Sequence, residues 1–166
     1  MTVAPTRGSF WPDAVYCFGG IVGLYVATEV KKIFDSAGVT YNGAFQAEVH
    51  GRLPRKLQGK SPPVYYYIKP KVGANFDFAN TGVEVQWKCP SCGRVKIGSE
   101  AVAKYAFIEG TWNNVDIFCT DLSPVAYFCS PRVIELASLH RWTNFRFVPL
   151  DQAHHAGHQG VKYLKF

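Results

Sequence analysis

A helix signature flanked by two strand-like runs constrains the fold of this chain most. Thr28-Glu29-Val30-Lys31-Lys32-Ile33-Phe34-Asp35-Ser36-Ala37-Gly38 opens on a residue suited to capping, carries an acid in its first turn and stops at glycine. Val30, Ile33, Phe34 and Ala37 recur at helical spacing and predict one apolar face. Ile21 to Val26 before it reads as a short buried strand, and Ala44 to His50 after it as a second extended segment.

The last third repeats the order. Val125 to Cys129 is a short apolar strand, and Ser130-Pro131 starts a helix with Ser at the cap and Pro at the first helical position. Val133, Leu136, Ala137 and His140 mark one face of that helix, and Phe145 to Leu150 alternates as a strand with Arg146 outward. Strand, helix and strand, met twice, predict a single α+β domain over residues 1–150. The sheet is expected to be mixed or antiparallel, with a few helices on one side and weakly related halves at about 10–70 and 83–150. Convergent patterning of two ordinary units would produce the same likeness. The tail 151–166 holds His154, His155 and His158, but Gly157 and Gly160 oppose a helix there, so it reads as a mobile terminal segment.

The middle of the chain reads as extended. Pro62-Pro63 introduces Val64 to Ile68, and Pro70 ends that run. Val83 to Trp87 alternates and leads into Cys89, whereas Ser99 to Phe107 fits a short helix or a strand.

Lys88-Cys89-Pro90-Ser91-Cys92-Gly93-Arg94 is a CPxCG knuckle with no second CxxC. Cys89 and Cys92 are candidate ligands for one structural zinc, which needs four donors. Cys17, Cys119 and Cys129 lie singly and far apart in sequence; Cys119, Cys17 or His50 would have to complete the shell. The other reading is a tight turn made by Pro90 and Gly93 with both thiols free. The cofactor expectation is therefore none, or one structural zinc.

With 166 residues, 48% of them hydrophobic and 15% aromatic, the chain can bury a sizeable core and is not of disordered composition. It holds no run of about 18 apolar residues, so no membrane helix is expected. The N-terminus lacks the apolar core of a secretory signal, and an odd cysteine count with a CxxC favours reduced thiols. Bacterial cytoplasm is the expected location.

The net charge is +6, and Arg52, Arg55, Lys56, Lys60, Lys69 and Lys71 fall in a stretch without an acid between Gly51 and Lys71. Such a stretch is a solvated loop, or a contact patch for an acidic protein or a phosphate. Single-strand nucleic-acid readers repeat aromatics along one sheet face. Tyr65, Tyr66 and Tyr67 are consecutive and cannot all share a face, so nucleic acid is not the expected partner. Catalysis is not expected either. The chain has no Gly-x-Ser-x-Gly, P-loop or His-Glu-x-x-His, its acids are dispersed, and Cys119 and Cys129 sit by apolar runs that suit inert thiols.

Four segments in order carry a resemblance: Trp87 to Gly93, Trp112-Asn113-Asn114-Val115-Asp116-Ile117-Phe118, Ser130-Pro131-Arg132-Val133-Ile134-Glu135-Leu136, and Phe145 to Leu150. The series resembles the C-terminal half of the double-CxxCG-motif bacterial immunity proteins and related immunity families. Gly19-Gly20, Thr28-Glu29-Val30 and Pro62-Pro63-Val64-Tyr65-Tyr66 look like the N-terminal half of such relatives. The resemblance spans about residues 10–150 and implies an antidote that binds one cognate toxin and occludes it stoichiometrically. This chain has one CxxCG where that family has two, so a four-cysteine zinc site does not carry over, and the ending after Leu150 is unmatched. Arg52, Arg55, Lys56, Lys60 and Trp112 are the candidate partner contacts, by charge and by anchor chemistry. The rival expectation is a zinc-ribbon-type nucleic-acid-binding module.

Overall fold

A computed structural model describes residues 2–3, 10–17, 23–49, 55–81, 84–91, 95–97, 105–121 and 126–150. In chain order the elements are β1 (Thr2–Val3), β2 (Ala14–Cys17), β3 (Gly23–Ala27), α1 (Thr28–Ser36), β4 (Ala44–Val49) and a single 3-10 turn (Arg55–Leu57). They continue as β5 (Tyr65–Ile68), β6 (Lys71–Ala74), α2 (Phe78–Thr81), β7 (Val85–Lys88), β8 (Val95–Ile97), β9 (Ile117–Thr120), β10 (Phe128–Cys129) and α3 (Pro131–Leu139). The first sheet runs β1-β4-β5-β3-β2, the second β10-β9-β6, and β7 and β8 form a hairpin. Both larger sheets are mixed, because β1 joins β4 in parallel and β6 joins β9 in parallel. The fold is α+β, as the alternation of strand and helix signatures predicts.

One core unites the two sheets. Val26 and Ile68 from the first sheet, Val30 and Phe34 from α1, Ile117 from β9 and Val133 from α3 all meet in it. Each fully buried Val, Ile or Phe contributes about 1.5–3 kcal/mol. Val30 and Val133, the matching positions of the two helices, thus serve the same core. The opposite face of the first sheet carries a second cluster of Tyr25, Ala27, Ala47 and Tyr65. Strand alternation sorts the three tyrosines: Tyr66 packs with the first core, Tyr65 and Tyr67 with the second.

The N-cap of α1 differs from expectation. Ala27, not Thr28, occupies the N-cap of α1. The Thr28 hydroxyl donates to the Val64 carbonyl at 3.0 Å, as does its backbone N–H, so it ties the first turn to the approach of β5. Ser130 does stand at the N-cap of α3 with Pro131 behind it, but its hydroxyl makes no cap hydrogen bond. It donates to Asp116 Oδ1 at 2.6 Å, a short bond to a charged acceptor. Gly38 stops α1 at φ 66°, as its position suggests. His140 ends α3 exposed and stacks on Trp142, instead of joining the buried face.

The expected strand Phe145–Leu150 is not one. Its alternation is real, with Phe145 and Phe147 packed on the first core and Arg146 exposed, yet 145–149 belongs to no ladder. The preceding turn occupies the edge of β2 that a strand would need. Thr143 accepts from and donates to Asp13, and Asn144 donates to the Ala14 carbonyl at 2.7 Å. The second strand–helix–strand unit therefore closes with packed rings instead of a ladder. Of the ambiguous stretch before Phe107, residues 105–107 are described: Phe107 bridges to Phe76 without forming a named strand. The tail 151–166 with its three histidines lies outside the described residues. No helix among the described residues is long and apolar enough to cross a membrane.

Candidate partner-binding surface

The outer face of the second sheet is built from rings. Phe118 of β9 and Phe128 of β10 stand opposite each other with centroids 5.6 Å apart, and Phe107 closes on both at 5.8 and 4.9 Å. Tyr105 links Phe128 to Phe76, which meets Phe78. Trp112 completes the set at 6.5 Å from Phe118 and remains 43% exposed. Gly73 makes room for this packing: a Cβ there would stand 2.5 Å from Phe118 Cβ.

The loop that presents Trp112 is fixed on both sides. Ile108 N–H donates to the Asn75 carbonyl at 3.0 Å, and Thr111 Oγ1 both donates to the Ile108 carbonyl and accepts from Asn75 N–H. Asn113 donates from its backbone to the Gly73 carbonyl and from its side chain to that of Val72. The indole N–H of Trp112 donates to the Val115 carbonyl at 3.2 Å. Gly110 and Asn114, at φ 75° and 60°, supply the left-handed turns. The loop covers the outer edge of β6 and holds an aromatic side chain half in solvent.

The basic candidates lie elsewhere. Arg55 and Lys56 are exposed on the 3-10 turn between β4 and β5, pinned by Leu57, which is fully buried; Lys60 follows, also exposed. Arg52 lies outside the described residues. The basic turn thus belongs to the first sheet and Trp112 to the second, so the four described candidates are distributed over two parts of the fold.

β7 runs into Cys89, as the alternation predicts, and Cys89, Pro90 and Ser91 are the described residues that follow it. All four residues of β7 are exposed, Trp87 at 53%, and Cys89 is half-buried. Cys92 and His50 lie outside the described residues. Among those described, no group of three or more His, Cys, Asp or Glu could hold a metal. Cys119 and Cys129 lie on β9 and β10; burial pushes both thiols up, Cys129 to about 11 with the Asp116 charge adding to it. Both therefore stay protonated at neutral pH.

Sequence reasoning passed over the main polar node. Asp116 is 7% exposed; its Oδ2 accepts from Thr40 N–H at 2.9 Å and Thr40 Oγ1 at 3.0 Å, while Oδ1 takes the Ser130 hydroxyl. Arg132 stands 4.0 Å from Oδ2 and also donates to the Ala37 and Gly38 carbonyls. Burial opposes the charge, yet hydrogen bonds from Ser130 and Thr40, with the nearby guanidinium, hold the carboxyl below its usual range. This node joins the end of α1 to the start of α3. Asp116 and Arg132 were visible in the sequence; Thr40 had no signal.

No family model, curated protein or solved structure matches the chain.

Proposed function

We propose that this protein is a bacterial immunity protein that binds a cognate toxin in the cytoplasm and neutralises it by stoichiometric occlusion, without turnover. The observation that carries the proposal is Trp112, an exposed indole on the rim of a seven-ring cluster, held by a loop hydrogen-bonded along its length. A pre-ordered aromatic side chain loses little entropy on association, the property of an interface anchor. Arg55, Lys56 and Lys60, with Arg52 by sequence, supply a basic turn that would speed encounter with an acidic toxin face. The groups best suited to chemistry are engaged within the fold instead: Asp116 is saturated by hydrogen bonds, and in the second sheet Cys119 is buried and Cys129 half-buried, both with raised pKa values.

The test is genetic. The product of the adjacent gene, expressed alone in a sensitive bacterium, should arrest growth, and co-expression of this chain should restore it. Rescue by wild type and failure by Trp112→Ala at equal protein level is the expected pattern. A neighbour without toxicity, or a toxic one that this chain does not relieve, contradicts the proposal.

A further inference from the structure

The outer face of the first sheet carries a row of aromatics that the sequence order conceals. Phe45 on β4, Tyr67 on β5 and Tyr25 on β3 stand directly opposite one another in the ladder. The Phe45 and Tyr67 ring centroids are 6.3 Å apart at 31°, those of Tyr67 and Tyr25 5.6 Å at 46°. Burial grades along the row, from 53% exposed at Phe45 through half-buried Tyr67 to Tyr25 at 1%. The buried end anchors the row and the other end is open.

Two glycines let the rings lie low. The Phe45 ring leans over Gly43, 3.6 Å from where a Cβ would be, and the Tyr67 ring occupies the space a Gly23 side chain would need. Among the described residues on this face of β3, β4 and β5, Lys69, just after β5, carries the charge, while Asp13, just before β2, acts on Tyr65 and is bonded to Thr143. Strand alternation places Lys69 on the side of Tyr65 and Tyr67; it is exposed, and its backbone donates to the Gly43 carbonyl beside Phe45. The other residues of this face on the three strands are Ala47, Val49, Tyr65, Gly23 and Ala27, none of them acidic. Glu48 stands on the opposite side of β4. The exposed Arg55, Lys56 and Lys60 connect β4 to β5.

We propose that the Phe45–Tyr67 pair with Lys69 is a stacking site for single-stranded nucleic acid, one base on the exposed ring and a flanking phosphate on the lysine. Flat rings accept any base by its π-face, and a cation beside them takes the backbone. The expectation against nucleic acid came from three consecutive tyrosines; cross-strand register assembles a row that neighbours in sequence cannot. The proposal is independent of the immunity reading, because it uses the first sheet and leaves Trp112 untouched.

The experiment is fluorescence anisotropy with labelled ten-nucleotide oligo(dT) and oligo(U), titrated with the full chain from 50 to 200 mM salt. Micromolar binding of one or both is expected, weakening as salt rises. Phe45→Ala, an exposed change, should weaken it about tenfold, and Phe45→Trp should keep or tighten it. Lys69→Gln should weaken it and reduce the salt slope by about one. Absence of binding to both oligonucleotides at 50 mM salt overturns the proposal. Binding that Phe45→Ala leaves unchanged overturns it too, since it would then be attraction to net charge alone.

Discussion

The Ser130 hydroxyl donates a hydrogen bond to Asp116 Oδ1 across 2.6 Å, so the N-cap residue of α3 also fastens that helix to the start of β9. The same carboxylate binds Thr40 just after α1, and the two helices are thereby held in one arrangement over the shared core. Ser130→Ala should cost about 1.5 kcal/mol and Asp116→Ala about 3 kcal/mol, because the alanine leaves Ser130 and Thr40 donors unsatisfied. Urea unfolding of both variants and of the double variant measures this. A coupling energy of about 1–2 kcal/mol is expected, whereas additive losses would mean that the pair does not act as a unit.

The node also sets an acid limit. The carboxyl of Asp116 titrates below the ordinary value of 3.8 in the folded chain. Its contribution is therefore complete above the unfolded pKa near 4 and is lost as pH falls through the lower folded value. Asp116→Asn should be less stable than wild type at pH 7, with the gap narrowing below about pH 4. Chemical unfolding across pH 2–7 reads it directly; a constant gap would place the acid response elsewhere.

Gly73→Ala should disturb Trp112 without touching it. The new methyl group would meet Phe118, itself part of the ring cluster that supports Trp112. A loss of about 1–3 kcal/mol is expected, with a reduced near-ultraviolet dichroism signal from the aromatic cluster. An unchanged spectrum and stability would mean that the second sheet yields freely at this point.

Thiol labelling should divide the cysteines. Cys119 and Cys129 sit in the second sheet with raised pKa values, Cys129 near 11, so at pH 8 neither should react on the timescale of exposed thiols. Cys119→Ser and Cys129→Ser should leave the fast phase of labelling by an aromatic disulfide reagent unaltered. Loss of fast amplitude in either variant would place that thiol at the surface.

Local signals explain why much of the fold was legible and where legibility ended. The α1 pattern, its Gly38 stop, the strand after it and the run into Cys89 all depend on residues adjacent in sequence, and each appears where periodicity places it. Thr28 deceived because its hydroxyl found a partner 36 positions away, and the bond from the N-cap residue Ser130 to a group 14 positions away is likewise one that no local rule sees. Phe145 and Phe147 deceived differently: alternation reports which side chains turn inward, not whether a neighbouring backbone edge is available. For the candidate site, Trp112 was legible only as an aromatic side chain, and its support by Gly73 and Asn113 depends on β6 lying parallel to β9. The row of Phe45, Tyr67 and Tyr25 likewise exists only once three strands are in register.

The central claim is that this chain acts by forming a complex through a pre-ordered aromatic anchor. Isothermal titration of the purified adjacent-gene product, in a catalytically inactivated form, with this protein tests it most directly. The predicted result is one-to-one association at nanomolar Kd, weakened at least tenfold by Trp112→Ala with the unfolding transition unchanged. Absence of heat and of co-elution at micromolar concentrations, or a complex of the same affinity with Trp112→Ala, would contradict it.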